Sequence, residues 1–157
     1  MSGLPIEETV TVGVPPDRAF ALFTEAFGEW WPEEYTYSGP DGLQTIALGA
    51  APGDFCYELG PEGFHVDWGR MVAIEPGRRI VFLWQIGPDS APQPDPHQAS
   101  QVEVAFAPDG EDGTVVRLTH AGFERHGEGS ADYRREMASE DGWPLILDAF
   151  ADFVRRV

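Results

Sequence analysis

The sequence predicts an α+β fold in which a curved antiparallel sheet of about six or seven strands wraps around a long C-terminal helix. Three observations carry that prediction. A mostly alternating segment near the N-terminus runs straight into the helix-opening Pro15-Pro16-Asp17. The middle of the chain reads as successive short strands punctuated by Gly and Pro turns. The C-terminal segment carries one wide apolar stripe at helical spacing. An antiparallel sheet needs one face covered, and that helix is the only large cover the sequence offers.

In the first strand, Ile6, Val10, Val12 and Val14 share a face, with only Glu8 out of step. Pro15-Pro16-Asp17 ends it and opens a helix, where Asp17 favours the first turn. Ala19, Phe20, Phe23 and Phe27 recur at helical spacing up to Gly28. Pro32 stops this unit and biases Trp31 towards extended backbone. Leu43 to Leu48 and Asp54 to Leu59 are short strands, and Gly60-Pro61-Glu62-Gly63 is a tight turn leading into Phe64 to Glu75. After Pro76-Gly77, residues Ile80, Phe82, Trp84 and Ile86 alternate with Val81, Leu83 and Gln85. Gly87 to Ala99 holds four prolines and reads as a flexible loop. Gln101 to Ala107 pairs through a turn with Thr114 to His120. From Tyr133 to Val157 the stripe is Leu145, Ile146, Ala149, Phe150, Phe153 and Val154, and Pro144 is either a first-turn proline or a kink.

The 157 residues suit a single domain, 1–157, which at this size buries roughly 70% of its unfolded surface. Ten basic residues stand against 27 acidic ones, for a formal net charge of −17. All ten are arginines, and the chain contains neither lysine nor asparagine. Schiff-base catalysis, a pyridoxal phosphate anchor, a phosphate-loop lysine and N-linked glycosylation are thereby excluded. The negative charge argues against nucleic acid and anionic membrane surfaces as partners. One cysteine, Cys56, permits no internal disulfide and no multi-thiolate zinc cluster. Met1 to Glu8 lacks the pattern of a signal peptide, and no apolar run is long enough to span a membrane, so a cytoplasmic protein is expected.

A sheet gripping a helix leaves a gap, and the residues in inward phase would line it. By phase these include Phe82 and Trp84 on one strand, His120 with Val116 and Leu118 on another, and Trp68 together with Arg70 on a third. Phe55 and Tyr57 share a face of their own strand, and Trp30 and Trp31 lie on a connection that could cap one end. Five tryptophans can fill a small core or wall an aromatic cavity, and the two readings coexist. His120 ends an otherwise apolar strand face, where it is either bonded to backbone or a polar handle for a ligand; Arg70 is a second handle. The segment from His120 to His126 holds two histidines and Glu124, but Gly122 falls inside it and the spacing is not that of a helical metal site, so it reads as a polar turn. Cys56 reads as a small buried hydrophobe. Hydrolase and phosphate-loop motifs are absent, and no cofactor or metal is expected.

Several stretches together resemble a known family. They are Pro15-Pro16-Asp17-Arg18-Ala19-Phe20, Trp30-Trp31-Pro32, Trp68-Gly69-Arg70, Glu75-Pro76-Gly77-Arg78-Arg79-Ile80, Phe82-Leu83-Trp84, Gly113-Thr114 to His120, Gly122-Phe123-Glu124 and Gly142-Trp143. In this order they resemble the START-like (SRPBCC) superfamily and, within it, the small bacterial members of the activator of heat-shock-protein-90 ATPase homologue-like family. The resemblance spans about Ile6 to Phe153. It departs at Pro52-Gly53-Asp54, where the family has a Gly-Gly pair. It implies a helix-grip fold with a cavity between sheet and helix, used across the superfamily for hydrophobic molecules and in some relatives for cyclase or aromatase chemistry. The co-chaperones that name the family carry a separate N-terminal domain, for which the chain before Ile6 is too short, so co-chaperone function is not expected.

The leading expectation is a protein that binds a small hydrophobic molecule, aromatic ones included. The contact candidates are Trp30, Trp31, Tyr57, Trp68, Arg70, Phe82, Trp84, His120, Trp143 and Phe150. One alternative is a cyclase- or hydrolase-like enzyme using His120 as general acid or base, which needs a second titratable group beside it, with Glu58 and Tyr57 as candidates. Another is a protein-interaction or chaperone-associated module, which needs an exposed apolar patch. A homodimer through a sheet edge or through Trp30 and Trp31 is left open.

Overall fold

The structure, a computed structural model, describes residues 4–157. The expectation drawn from Met1 to Glu8 therefore rests partly on residues outside those described. Seven strands form one sheet: β1 (Ile6–Val12), β2 (Thr45–Ala47), β3 (Phe55–Leu59), β4 (His65–Glu75), β5 (Arg79–Trp84), β6 (Ser100–Asp109) and β7 (Gly113–Ala121). Their order is β1-β7-β6-β5-β4-β3-β2, with every neighbouring pair antiparallel. Strands β2 to β7 are a plain meander, whereas β1 pairs with β7 at the far edge. The β1–β2 connection must therefore cross the width of the sheet. It carries α1 (Pro16–Thr24), α2 (Phe27–Trp30) and α3 (Gly39–Gly42). Pro16 and Asp17 occupy the first turn of α1, and its buried face is Ala19, Phe20, Leu22 and Phe23.

The C-terminal segment is two helices, α4 (Ser130–Ala138) and α5 (Trp143–Arg156). Pro144 sits in the first turn of α5, so it opens that helix instead of kinking a longer one. Gly142 is needed at the junction, because a Cβ there would lie 2.1 Å from the Met137 carbonyl oxygen. The face that α5 buries is Trp143, Ile146, Leu147, Phe150, Ala151, Phe153 and Val154. Compared with the sequence stripe, its centre moves from Leu145 and Ala149 to Leu147 and Ala151, because Trp143 anchors the first turn. Each large apolar side chain on that face contributes about 1.5–3 kcal/mol on burial.

Two bulges shape β4. Opposite the Cys56–Tyr57 step the pairing jumps from Gly69 to Asp67, leaving Trp68 as the extra residue. Between Met71 and Ala73 a second shift leaves Val72 over. A bulge turns two consecutive side chains towards one face and resets the alternation beyond it. Trp68 and Gly69 are both buried, and the close packing at Gly69 requires glycine: a Cβ would meet the Leu83 carbonyl oxygen at 2.6 Å. Past the bulge, Met71 faces Phe82 inside, while Arg70 pairs with Phe55 on the other face. The Gly87–Ala99 loop, which the sequence presents as flexible, is fastened by Gln85, whose amide donates to the Gln93 and Pro94 carbonyls at 3.1 and 3.2 Å.

Candidate functional site

Between the sheet, the β1–β2 connection and the start of α5 lies a cavity of about 570 Å³. Three indoles wall it: Trp31 from the connection, Trp68 from the β4 bulge and Trp84 from the end of β5. Trp31 sits just past α2 with extended backbone, as Pro32 dictates. Its ring stacks on Phe27 at 4.9 Å and lies 6.3 Å from Trp68 at an interplanar angle of 20°. Trp84 meets Trp68 edge-on at 5.8 Å. Ile46, Ile86 and Ile146 complete the apolar wall.

Two polar groups are built into this wall. Glu58 is buried on β3, where Oε1 accepts from the Tyr37 amide at 3.0 Å and Oε2 from the Ser38 amide and hydroxyl at 2.7 and 2.6 Å. Its carboxylate thereby ties the segment before α3 to the sheet. The Tyr133 hydroxyl of α4 accepts from Trp84 Nε1 at 2.6 Å and donates to the Ile86 carbonyl at 2.8 Å. Burial raises the Tyr133 pKa strongly, so the phenol stays protonated. At the mouth, the Tyr35 hydroxyl donates to the Asp141 carbonyl at 2.7 Å and that of Tyr37 to the Ser90 carbonyl at 2.6 Å. The Tyr37 phenol is pushed up to about 12 by burial first, then by the Glu58 and Asp89 charges. Trp68 is 2% exposed, and its indole N–H has no hydrogen-bond partner among the described residues.

His120 lies behind this wall. It is fully buried and is not among the residues lining the cavity. Trp143 Nε1 donates to its Nδ1 at 2.9 Å, and its Nε2 lies 2.7 Å from Ser100 Oγ. An indole can only donate, so Nδ1 of His120 is the acceptor and Nε2 carries the proton. Ser100 Oγ therefore accepts from His120, which leaves its own hydrogen for His126 Nε2, also at 2.7 Å; the His126 proton then sits on Nδ1, which has no partner among the described residues. The four groups form a chain with one direction, from Trp143 outwards to His126. Burial, followed by the neighbouring His126, holds the His120 pKa well below 6.5, and burial also lowers that of His126. Both rings are neutral at pH 7.

Of the ten contact candidates, Trp31, Trp68 and Trp84 line the cavity. Trp30, Phe82 and Trp143 pack one layer behind, with Trp30 on Trp31 at 5.9 Å, Phe82 on Trp68 at 6.0 Å and Trp143 on Trp84 at 5.5 Å, and Phe150 packs deeper, on Trp30 at 5.1 Å. His120 belongs to the relay instead of serving as a handle in the cavity. Tyr57 and Arg70 lie on the opposite face, because inward positions on β3 fall to Cys56 and Glu58 and the bulge turns Arg70 away. The Arg70 guanidinium carbon stands 4.8 Å from the Phe55 ring centre, and the Tyr57 ring is 6.0 Å from His65. The neighbours of His120 are Ser100 and Trp143, while Glu58 is bound to Tyr37 and Ser38. Burial pushes the Cys56 thiol up to about 12, so it is not a thiolate. Sequence reasoning missed Ser100 and Tyr133, and it set His126 aside as part of a polar turn. Ser100 could have been found, since it shares the phase of Val102, Val104 and Phe106.

A family profile, Activator of Hsp90 ATPase homolog 1-like protein, matches residues 13–155. The chain belongs to this family. Its sheet order and C-terminal helix are those of the START-like helix-grip fold, an SRPBCC-type ligand-binding architecture. Among solved structures, the anthrahydroquino-gamma-pyrone synthase Txn09 is 27% identical, with a TM-score of 0.65, over 97% of this chain and 98% of its own. CalC from Micromonospora echinospora, described as a self-sacrificing resistance protein, is 27% identical with a TM-score of 0.66, over 99% and 97% of the two chains. Protein NE0264 from Nitrosomonas europaea shares the fold at 15% identity, with a TM-score of 0.68 over 98% and 95%. No curated protein sequence matches the chain. No helix among the described residues is long and apolar enough to cross a membrane.

Proposed function

We propose that this protein binds a flat, largely apolar small molecule in the cavity between the sheet and α5. The observation that carries this reading is the space itself: about 570 Å³ with three indoles in its lining. That volume falls within the roughly 300–1,000 Å³ of small-molecule sites. Planar rings stack on tryptophan faces, and each such contact adds about 0.5–1.5 kcal/mol beyond the area it buries. The 27% identity to a synthase whose name describes a fused aromatic pyrone supports a ligand of the same flat shape. Binding is favoured over catalysis by His120, because both nitrogens of that ring are engaged and a protein layer separates it from the cavity.

Tryptophan emission titrated with a neutral fused tricyclic aromatic tests the reading. Saturable quenching is expected, and Trp84→Phe should reduce its amplitude. Emission that no member of a planar aromatic panel perturbs would overturn the proposal.

A further inference from the structure

The hydrogen-bonding groups around the cavity are unevenly committed. Every tyrosine or threonine hydroxyl lining it is spent as a donor on a backbone carbonyl: Tyr35 on Asp141, Thr36 on Glu33, Tyr37 on Ser90 and Tyr133 on Ile86. The Ser139 hydroxyl is spent likewise on Glu136. The indole N–H groups of Trp31 and Trp84 are also taken, by the Tyr35 carbonyl and the Tyr133 hydroxyl. That leaves the exposed Ser90 hydroxyl at the rim and the buried N–H of Trp68, which has no partner among the described residues. Acceptors are in surplus. Glu58 stands in the wall, and the carboxylates of Glu34, Glu136 and Asp141 stand exposed at the mouth. Glu58 uses three of its four or so acceptor positions. None of these carboxylates makes a salt bridge among the described residues, and no arginine or histidine lines the cavity.

An anion entering this space would meet four like charges and no cation to receive it. A cation would find carboxylates at the mouth and three indoles in the wall, and carboxylates and indole rings both attract positive charge. The chain's overall charge of −17 acts in the same direction at long range. Resting on the cavity's reading as a ligand site, we infer that its ligand is a planar aromatic cation, a fused-ring molecule bearing a protonated nitrogen. Selection is by charge as well as by shape: the apolar wall accepts the ring system and the acidic mouth accepts the positive nitrogen.

Three tricyclic probes of similar size separate this inference from the reading beneath it: aminoacridine as the cation, hydroxymethylanthracene as the neutral ring and anthracene carboxylate as the anion. Isothermal titration calorimetry at neutral pH and low salt should show the cation binding about tenfold tighter than the neutral probe, with the anion weakest. Raising the salt should narrow the gap. Glu136→Gln with Asp141→Asn should remove most of it. Glu111→Gln with Asp112→Asn, which deletes the same charge in the β6–β7 turn outside the lining, should leave it intact. Equal affinity for cation and neutral probe, tighter binding of the anion, or equal losses in the two double variants would overturn the inference while leaving the cavity reading in place. Failure of all three probes to bind would overturn the cavity reading itself.

Discussion

The region around His120 and the region around Trp68 use the same kind of side chain to opposite ends. Trp143 and Trp68 are almost equally buried, at 1% and 2% exposure. The N–H of Trp143 is spent on His120, which passes a hydrogen bond to Ser100 and so to His126. The N–H of Trp68 has no partner among the described residues, and the residue lines the cavity. One region is packed and leaves a buried polar atom unpartnered only at its outer end, on His126 Nδ1; the other keeps a void and an unpartnered donor in the middle of its wall. An unpartnered buried donor costs about 1–3 kcal/mol, and empty apolar space forgoes dispersion contacts. Stability is therefore concentrated behind the cavity, and the wall of the cavity is where the fold gives some of it up.

The largest expected effect breaks the packed region. His120→Ala removes a fully buried ring and strands both the Trp143 N–H and one side of Ser100. Unfolding free energy from urea denaturation should fall by about 3–5 kcal/mol. A loss below about 1 kcal/mol would mean that the relay carries little of the stability.

A pair of identical substitutions sharpens the contrast. Trp143→Phe and Trp68→Phe make the same chemical change at nearly equal burial, yet only the first leaves a histidine nitrogen without its donor. Trp143→Phe should cost about 1–3 kcal/mol more than Trp68→Phe. Equal losses would show that the two indoles are held alike.

The smallest effect is a pH dependence. The His120 pKa is lowered in the folded state, so the unfolded chain binds the extra proton as pH falls through its ordinary value near 6.5. The stabilisation is therefore complete above that pH and declines below it, by up to about 1.4 kcal/mol per pH unit from His120. His126 shifts the same way and adds to the slope. His120→Gln should flatten the curve between about pH 6.5 and 5, a window above the range where most carboxylates titrate. An unchanged slope in that variant would assign the acid sensitivity elsewhere.

Legibility in the sequence follows the regularity of the strands. β7 and, up to Phe106, β6 alternate strictly between buried and more exposed positions, and β1 departs only at Glu8, a polar residue in the inward phase. Their inward residues could therefore be read from phase. On β5 Val81 is buried between Ile80 and Phe82, and the aromatics Phe82 and Trp84 marked the inner face. On β4 the two bulges break that inference: Trp68 and Arg70 look co-facial in a list of residues and are not in the folded chain. On β3 the larger aromatics Phe55 and Tyr57 suggested the inner face. The small Cys56 and the charged Glu58 occupy it instead, because the β1–β2 connection supplies the backbone and hydroxyl donors that make a buried carboxylate tolerable. Such long-range partners leave no periodic trace. His120 stood out as a polar residue on an apolar face, and that anomaly was real. Its cause was Ser100 on the neighbouring strand and Trp143 on the helix.

The bulge at Trp68 makes the site a matter of counting as much as of chemistry. Removing Asp67 would restore an uninterrupted ladder with β3 in which Trp68 takes the place opposite Tyr57, on the face away from the cavity, while Val66 and His65 keep their partners. The composition would be almost unchanged. One of the three indole walls would be lost, so the binding surface is encoded partly in the length of a strand.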